Sequence, residues 1–473
     1  MNIVAFGISY AAVALLGLPA AFHPLIRHHS VIARGGACFL LGAVLLSVEG
    51  LVWSLVGIPW TIWTLGVPLG VVSFAAVLLS TRYPSTVEIK AQPEHDRSPV
   101  AAGAFVLTLC ALGFLAWQLY ATRATSPDLL FFWGVKGTRF AAAGGLDAEL
   151  LGWRFFIHAH VNYPPLLPTV YAWGVLVAGG MPWAWVPITS WIWVAATSAV
   201  LGPLLRPHLG PAAAAVVTSV WTVIISASIV ASNSGGNAEA PLVAFLTVAC
   251  AALLASPSDR QPIAWAVVAL GFVGAVLTKN EGSVSVLLLT GGALFRAWRN
   301  HDRTTRIRIV QAAVTAAGAV GLWLLFLVIH GLPLTDPVRQ RAFGITFDHT
   351  ELILSAMPSS LDAGTATLSW WFLLIALVAS PRRIVPFFPA VALCCGLLLF
   401  AFVYYLHSHT DPTILIRWTL PRLCQPALSA LALWAGLAWF GNNGIRSPSS
   451  SIRSSGASAS SREILQPHSG MPS

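Results

Sequence analysis

The stretch SPDLLFFWGVKGTRF, residues 126–140, sets Asp128 and Lys136 among aromatic side chains directly after a long apolar run. That run, 99–120, carries no charged residue and is long enough to cross a hydrocarbon core, which takes roughly 20 apolar residues. The same contrast holds along the whole chain. Of 473 residues, 56% are hydrophobic and 9% charged, and the mean hydropathy is +0.76. So few charges cannot cover a water-soluble surface, so the chain reads as an integral membrane protein. Backbone in lipid must satisfy its own hydrogen bonds, as helices or as a closed barrel. The short alternating strands of a barrel are missing. The expected fold is therefore all-α, a polytopic transmembrane helical bundle.

About thirteen apolar segments recur, at roughly 3–22, 36–56, 61–80, 99–120, 185–205, 212–231, 241–256, 263–278, 283–297, 310–330, 366–380, 385–406 and 420–440. The N-terminus lacks a basic n-region and a cleavage site, so the first span reads as an uncleaved signal-anchor. The loop RNHDRTTRIR, residues 299–308, is the strongest basic segment and belongs in the cytoplasm by the positive-inside rule. Counting crossings from it, and from the basic loops at 23–35 and 82–98, places 121–165 on the outer side. The two counts agree only if LLPTVYAWGVLVAGG, 166–180, does not cross, which predicts a juxtamembrane or re-entrant helix packed against protein. Three units follow: residues 1–98, three N-terminal spans and a cytoplasmic linker; 99–440, the main transmembrane module; and 441–473, a Ser/Gly-rich cytoplasmic tail expected to be disordered.

The charge balance, 26 basic against 17 acidic residues or +9, reads as cytoplasmic basic loops. No basic cluster with interleaved aromatics points to nucleic acid. The six cysteines lie in or beside apolar segments without metal-ligand spacing and read as small core residues.

The polar residues concentrate in the outer loops. Asp128 reads either as a helix cap or as a functional carboxylate kept at the membrane edge at a cost. Lys136 and Arg139 follow it; an outward Lys runs against the positive-inside tendency and suits either anion contact or snorkelling. In HAHVNYPPLLP, 158–168, the prolines after Tyr163 read as a rigid approach to the next helix. His158 and His160, and likewise His407 and His409 with Asp411, are weak metal signals without a further ligand nearby. GGNAEAPL, 235–242, places Glu239 at a helix start, where the dipole favours an acid. LTKNEG, 277–282, interrupts two short apolar segments with Lys279 and Glu281, as a plain polar turn or as a site. HSHTDPTILIRWTLPRLCQP, 407–426, brings Arg417 and Arg422 to the outer side of the final span, for phosphate contact or snorkelling. Glu49, inside the second span, has no assigned role.

The series SPDLLFFWGVKGTRFAAAGG, NYPPLLP, GGNAEAPL, LTKNEG and PRL before a last span resembles the bacterial GT-C glycosyltransferases, polytopic enzymes such as the protein O-mannosyltransferases and the lipid A aminoarabinose transferase. The similarity runs over about residues 99–440 and leaves out the first three spans. Family members carry the acidic loop after their first span, whereas here it follows the fourth. Some have two adjacent acids there, where this chain has Asp128 and Leu129.

The resemblance implies transfer of a sugar from a polyprenyl-phosphate donor to a glycan, lipid or protein acceptor of the cell envelope, at the outer face of a bacterial inner membrane. It implies Asp128 and Glu239 as catalytic acids, with Lys279 and Arg422 facing the carrier phosphate; Lys136, Tyr163 and Glu281, in the same motifs, are the further substrate-binding candidates. One general base contributes roughly 10²–10⁴-fold, and a single displacement inverts the anomeric centre. No metal site and no cofactor are assigned; the outward carboxylates and histidines leave dependence on a divalent metal open. A lipid-linked oligosaccharide transporter would instead show internal repeats and midplane sites. A scaffold of a polysaccharide assembly complex would be indifferent to loss of Asp128.

Overall fold

A computed structural model describes residues 3–82, 98–123, 125–153, 160–255, 262–334, 347–361, 363–380, 384–407 and 412–444. Among them every regular element is helical. In chain order the α-helices are α1 (Ile3–Leu16), α2 (Val31–Val56), α3 (Ile62–Arg82), α4 (Pro99–Thr122), α5 (Gly134–Ala143), α6 (Ala148–Gly152), α7 (Leu166–Ala178), α8 (Thr189–Leu209), α9 (Pro211–Ala231), α10 (Glu239–Ala255), α11 (Pro262–Thr278), α12 (Asn280–Arg299), α13 (Arg303–Ile329), α14 (Thr350–Ser360), α15 (Ala363–Ala379), α16 (Phe388–Leu406) and α17 (Pro412–Gly444). Each expected apolar segment is helical. Eight helices, α2, α3, α4, α8, α9, α13, α16 and α17, are long and apolar enough to cross a bilayer. The chain is a multi-pass helical membrane protein.

α10 is the centre of the bundle. All of its residues are buried, and it packs against α8, α11 and α17. Its all-round apolar sequence suits a helix with no water-facing or lipid-facing side. By contrast, α3 and α4 leave most of their surface outward. α1 and α2 join the same core: Trp173 of α7 donates to the Ser9 carbonyl of α1 at 3.0 Å.

Contacts just past their ends bring the α4, α9 and α11 C-termini to one end of the bundle: the Thr125 hydroxyl donates to Asn233 Oδ1 at 3.4 Å, and Lys279 donates to Glu239, at the head of α10, at 3.0 Å. The 299–308 loop lies at the other. α7 begins beside that first end, and its Tyr171 hydroxyl still donates there to Gly236 O, 2.6 Å away. At 13 residues it is shorter than the roughly 20 that a crossing takes.

Three boundaries differ from expectation. α17 begins eight residues before 420 and continues through Pro421 and Pro426, because neighbouring helices and side chains can satisfy backbone that a proline frees. It also extends to Gly444, past the expected start of the tail at 441. Between the apolar segments expected at 310–330 and 366–380, where no helix is expected, lies α14. The linker at 83–97 and the tail from 445 onward lie outside the described residues.

Candidate functional site

Asp128 immediately precedes a π-helical turn, Leu129–Trp133, a rare form found mostly as single-turn insertions at functional sites. Two motifs hold that turn in place. Asn237 donates through Nδ2 to Ser126 Oγ at 2.8 Å, joining the SPD segment to GGNAE. Gly236 adopts φ +76°, and an added Cβ would lie 2.9 Å from Leu129 Cδ2. Only glycine accepts both the left-handed backbone and the close approach.

Glu239 stands at the head of the wholly buried α10, with its side chain 2% exposed. An isolated carboxylate there would be costly, so it needs partners. Arg422 donates to Glu239 Oε1 from Nε at 2.8 Å and from Nη2 at 2.5 Å. The same Nη2 also holds Asp128 Oδ2. Lys279 Nζ donates to Glu239 Oε1 at 3.0 Å and lies 3.7 Å from Glu281 Oε1. The Tyr163 hydroxyl completes the chain by donating to Glu281 Oε1 at 3.0 Å. Burial alone would push the Lys279 pKa down, but Glu239 and Glu281 outweigh it and raise the value.

Lys279 is extended backbone between α11 and α12, and the KNEG turn is tight. A Cβ on Gly282 would sit 2.0 Å from the Ala275 carbonyl oxygen, so the glycine lets α12 return closely against α11.

These residues line one cavity of about 260 Å³, with Trp133, His160, Asn162, Tyr404 and Thr419 also in its wall. Three carboxylates face two cations, a formal charge of −1. Glu239 Oε2, Glu281 Oε2, Asn162 Oδ1 and Trp133 Nε1 are buried there without a hydrogen-bond partner among the described residues. The Tyr163 ring lies between His160, stacked at 4.6 Å, and Trp133, stacked at 5.8 Å.

The structure brings together six of the seven sequence-predicted site residues: Asp128, Glu239, Tyr163, Lys279, Glu281 and Arg422. Lys136 does not join them. It is buried outside the cavity wall, donates to the His160 carbonyl at 2.6 Å and lies 5.6 Å from the Trp133 ring centre. Burial pushes its pKa down to about 7. Its contact is structural support for the 160–163 turn in place of the expected ligand contact. Arg139 pairs with Asp147 at 2.8 Å, and Arg417 is exposed.

Of the weak metal signals, His160 faces the cavity, His407 Nδ1 meets Val403 O at 2.8 Å, and His158, His409 and Asp411 lie outside the described residues. Among the described residues no three His, Cys, Asp or Glu side chains form a metal-binding group; Arg422 and Lys279 separate the three cavity carboxylates. Trp133, Asn162, Tyr404 and Thr419 were not legible as site residues, since aromatic and small polar side chains in apolar segments look the same whether they face a core or a cavity. No family model, curated protein or solved structure matches this chain.

Proposed function

We propose that this protein is a GT-C-like membrane glycosyltransferase. It moves a sugar from a polyprenyl-phosphate donor to a cell-envelope acceptor at the outer face of a bacterial inner membrane. The observation that carries the reading is the convergence of Asp128, Glu239, Lys279 and Arg422, from four distant motifs, on one cavity at one end of an apolar bundle. A lipid-linked donor needs such a place, where a greasy tail stays in the bilayer and a charged head meets water.

The topology that fits has thirteen crossings: the eight long helices with α1, α10, α11, α12 and α15, while α7 remains at one end. With the basic loop 299–308 in the cytoplasm, the cavity opens on the outer side.

In the reaction, Asp128 takes the proton of an acceptor hydroxyl. The acceptor oxygen bonds to the anomeric carbon as the carbon–oxygen bond to phosphate breaks. The electron pair leaves on the phosphate oxygen, where Lys279 and Arg422 counter the growing charge. One displacement inverts the anomeric centre. Glu239 holds both cations in position.

The test is mass spectrometry of envelope glycans from a strain lacking this protein, complemented with wild type or Asp128→Asn. Wild type should restore a missing sugar, and D128N should insert normally but leave it missing. Unchanged glycans in the deletion strain, or full rescue by D128N, would sink the proposal. Labelling of a cysteine placed at 126 only from the cytoplasm would sink the orientation.

A further inference from the structure

Both cations of the cavity are already engaged by carboxylates. Arg422 Nη2 is shared between Asp128 and Glu239, and Lys279 between Glu239 and Glu281. Among the described residues of the cavity wall, an arriving phosphate therefore finds both cations already paired, and the proposed base is tied to a guanidinium. One of these contacts has to open.

The two carboxylates on Arg422 are not equally held. Glu239 receives Arg422 Nε, Arg422 Nη2 and Lys279 Nζ, and its side chain is 2% exposed. Asp128 meets Arg422 through Oδ2 alone, and its side chain is 23% exposed. It also borders the π-helical turn, while Glu239 heads a fully buried helix. Asp128 costs less to release, because water can take over its solvation, whereas Glu239, wholly buried, would be left with Lys279 alone.

Resting on the reading of this cavity as a phosphosugar site, we infer that Arg422 is an exchange site: a phosphate oxygen of the ligand takes the guanidinium face that Asp128 holds, and the displaced carboxylate becomes the free base. The exchange conserves ion pairing. With Asp128 released, Glu239, Glu281, Lys279 and Arg422 balance to zero, and the phosphate pairs with Arg422 in Asp128's place. Donor binding and base release then become one event, so an empty site holds no free base.

The exchange has a sign that simple loss of a binding residue does not. Asp128 competes with phosphate, and competition by a resident group lowers apparent affinity by the fraction of open sites. Removing it should tighten phosphate binding. The probe is farnesyl phosphate, with farnesol as the uncharged control, binding to the full-length protein in detergent.

D128N should bind farnesyl phosphate on the order of tenfold more tightly than wild type, with farnesol binding unchanged and sugar transfer lost. Equal or weaker farnesyl phosphate binding overturns the exchange while leaving Asp128's role as base intact. Tighter binding with normal sugar transfer supports the exchange and removes the base. A gain shared by farnesol also overturns it. A second measurement needs only wild type: farnesyl phosphate should raise carbodiimide modification of Asp128, read by peptide mass spectrometry. No change, or protection, overturns the proposal.

Discussion

Arg422 holds the carboxylate of Asp128 across a separation of 294 positions in the chain, and its other hydrogen-bonding face holds Glu239. One guanidinium spans two acids because its donors are fixed in a planar fork. Arg422→Lys keeps the charge but cannot make both contacts. Sugar transfer should fall by roughly 10²-fold, and the protein should lose about 1–3 kcal/mol of stability as one carboxylate goes unsatisfied. Initial rates in proteoliposomes and thermal melts measure the two effects. An Arg422→Lys protein with wild-type rate and melting temperature would exclude the bridge.

Tyr163 meets the network through its hydroxyl on Glu281 and through its ring, whose centre lies 5.6 Å from Lys279 Nζ. Tyr163→Phe removes the hydroxyl that donates to Glu281 and keeps the ring between His160 and Trp133. A single lost hydrogen bond is worth about 0.5–1.5 kcal/mol. The expected outcome is a rise of up to roughly tenfold in the donor KM with kcat little changed, checked by steady-state kinetics. A collapse of kcat with constant KM would instead place this hydroxyl at the reacting atoms.

Lys136 gives a pH signature. Burial holds its pKa at about 7 in the folded protein against 10.5 ordinarily, although the His160 carbonyl and the Trp133 ring oppose the shift. Below about pH 7 the folded state bears the full cost of a buried charge. Between there and about 10.5 the unfolded chain binds more protons than the folded one, so stability rises with pH. The melting temperature of wild type should climb from pH 6.5 to 9 relative to Lys136→Met. Parallel melting curves for the two proteins would show that this ammonium carries no such cost.

Gly282 and Gly291 lie on the same helix and should respond oppositely. Gly282→Ala drives a Cβ into the Ala275 carbonyl, so α11 and α12 must separate, at about 1–3 kcal/mol, and Lys279 moves with them. Gly291→Ala meets nothing within 4 Å and should gain about 0.5–1 kcal/mol from helix propensity. Melts of both variants, with transfer rates, check the pair. Equal melting temperatures would mean that the turn has more room than its geometry implies.

The helical character was legible because hydrocarbon allows few other choices, and the apolar runs mark every major helix. So were six site residues, each a polar residue where an apolar pattern breaks. Lys136 has the same local signature, but its partner is a backbone carbonyl 24 residues on, and no local pattern marks such a contact. The helical course through Pro421 was hidden for a similar reason. Proline penalises a helix locally, and only neighbours distant in sequence make up the loss. Asn237 and Gly236 look like ordinary loop residues until Ser126 and Leu129 are seen against them.

The position of Arg422 in α17 also orders assembly in time. The acids at 128 and 239 are synthesised long before their shared counter-ion, so a ribosome-bound chain carries both through early insertion without it. Until α17 joins the bundle, Glu239 has Lys279 as its counter-ion, and Arg422 adds the second. A chain released before that helix is made lacks the packing that α17 gives α9, α10 and α16 and the counter-ion that Asp128 and Glu239 share.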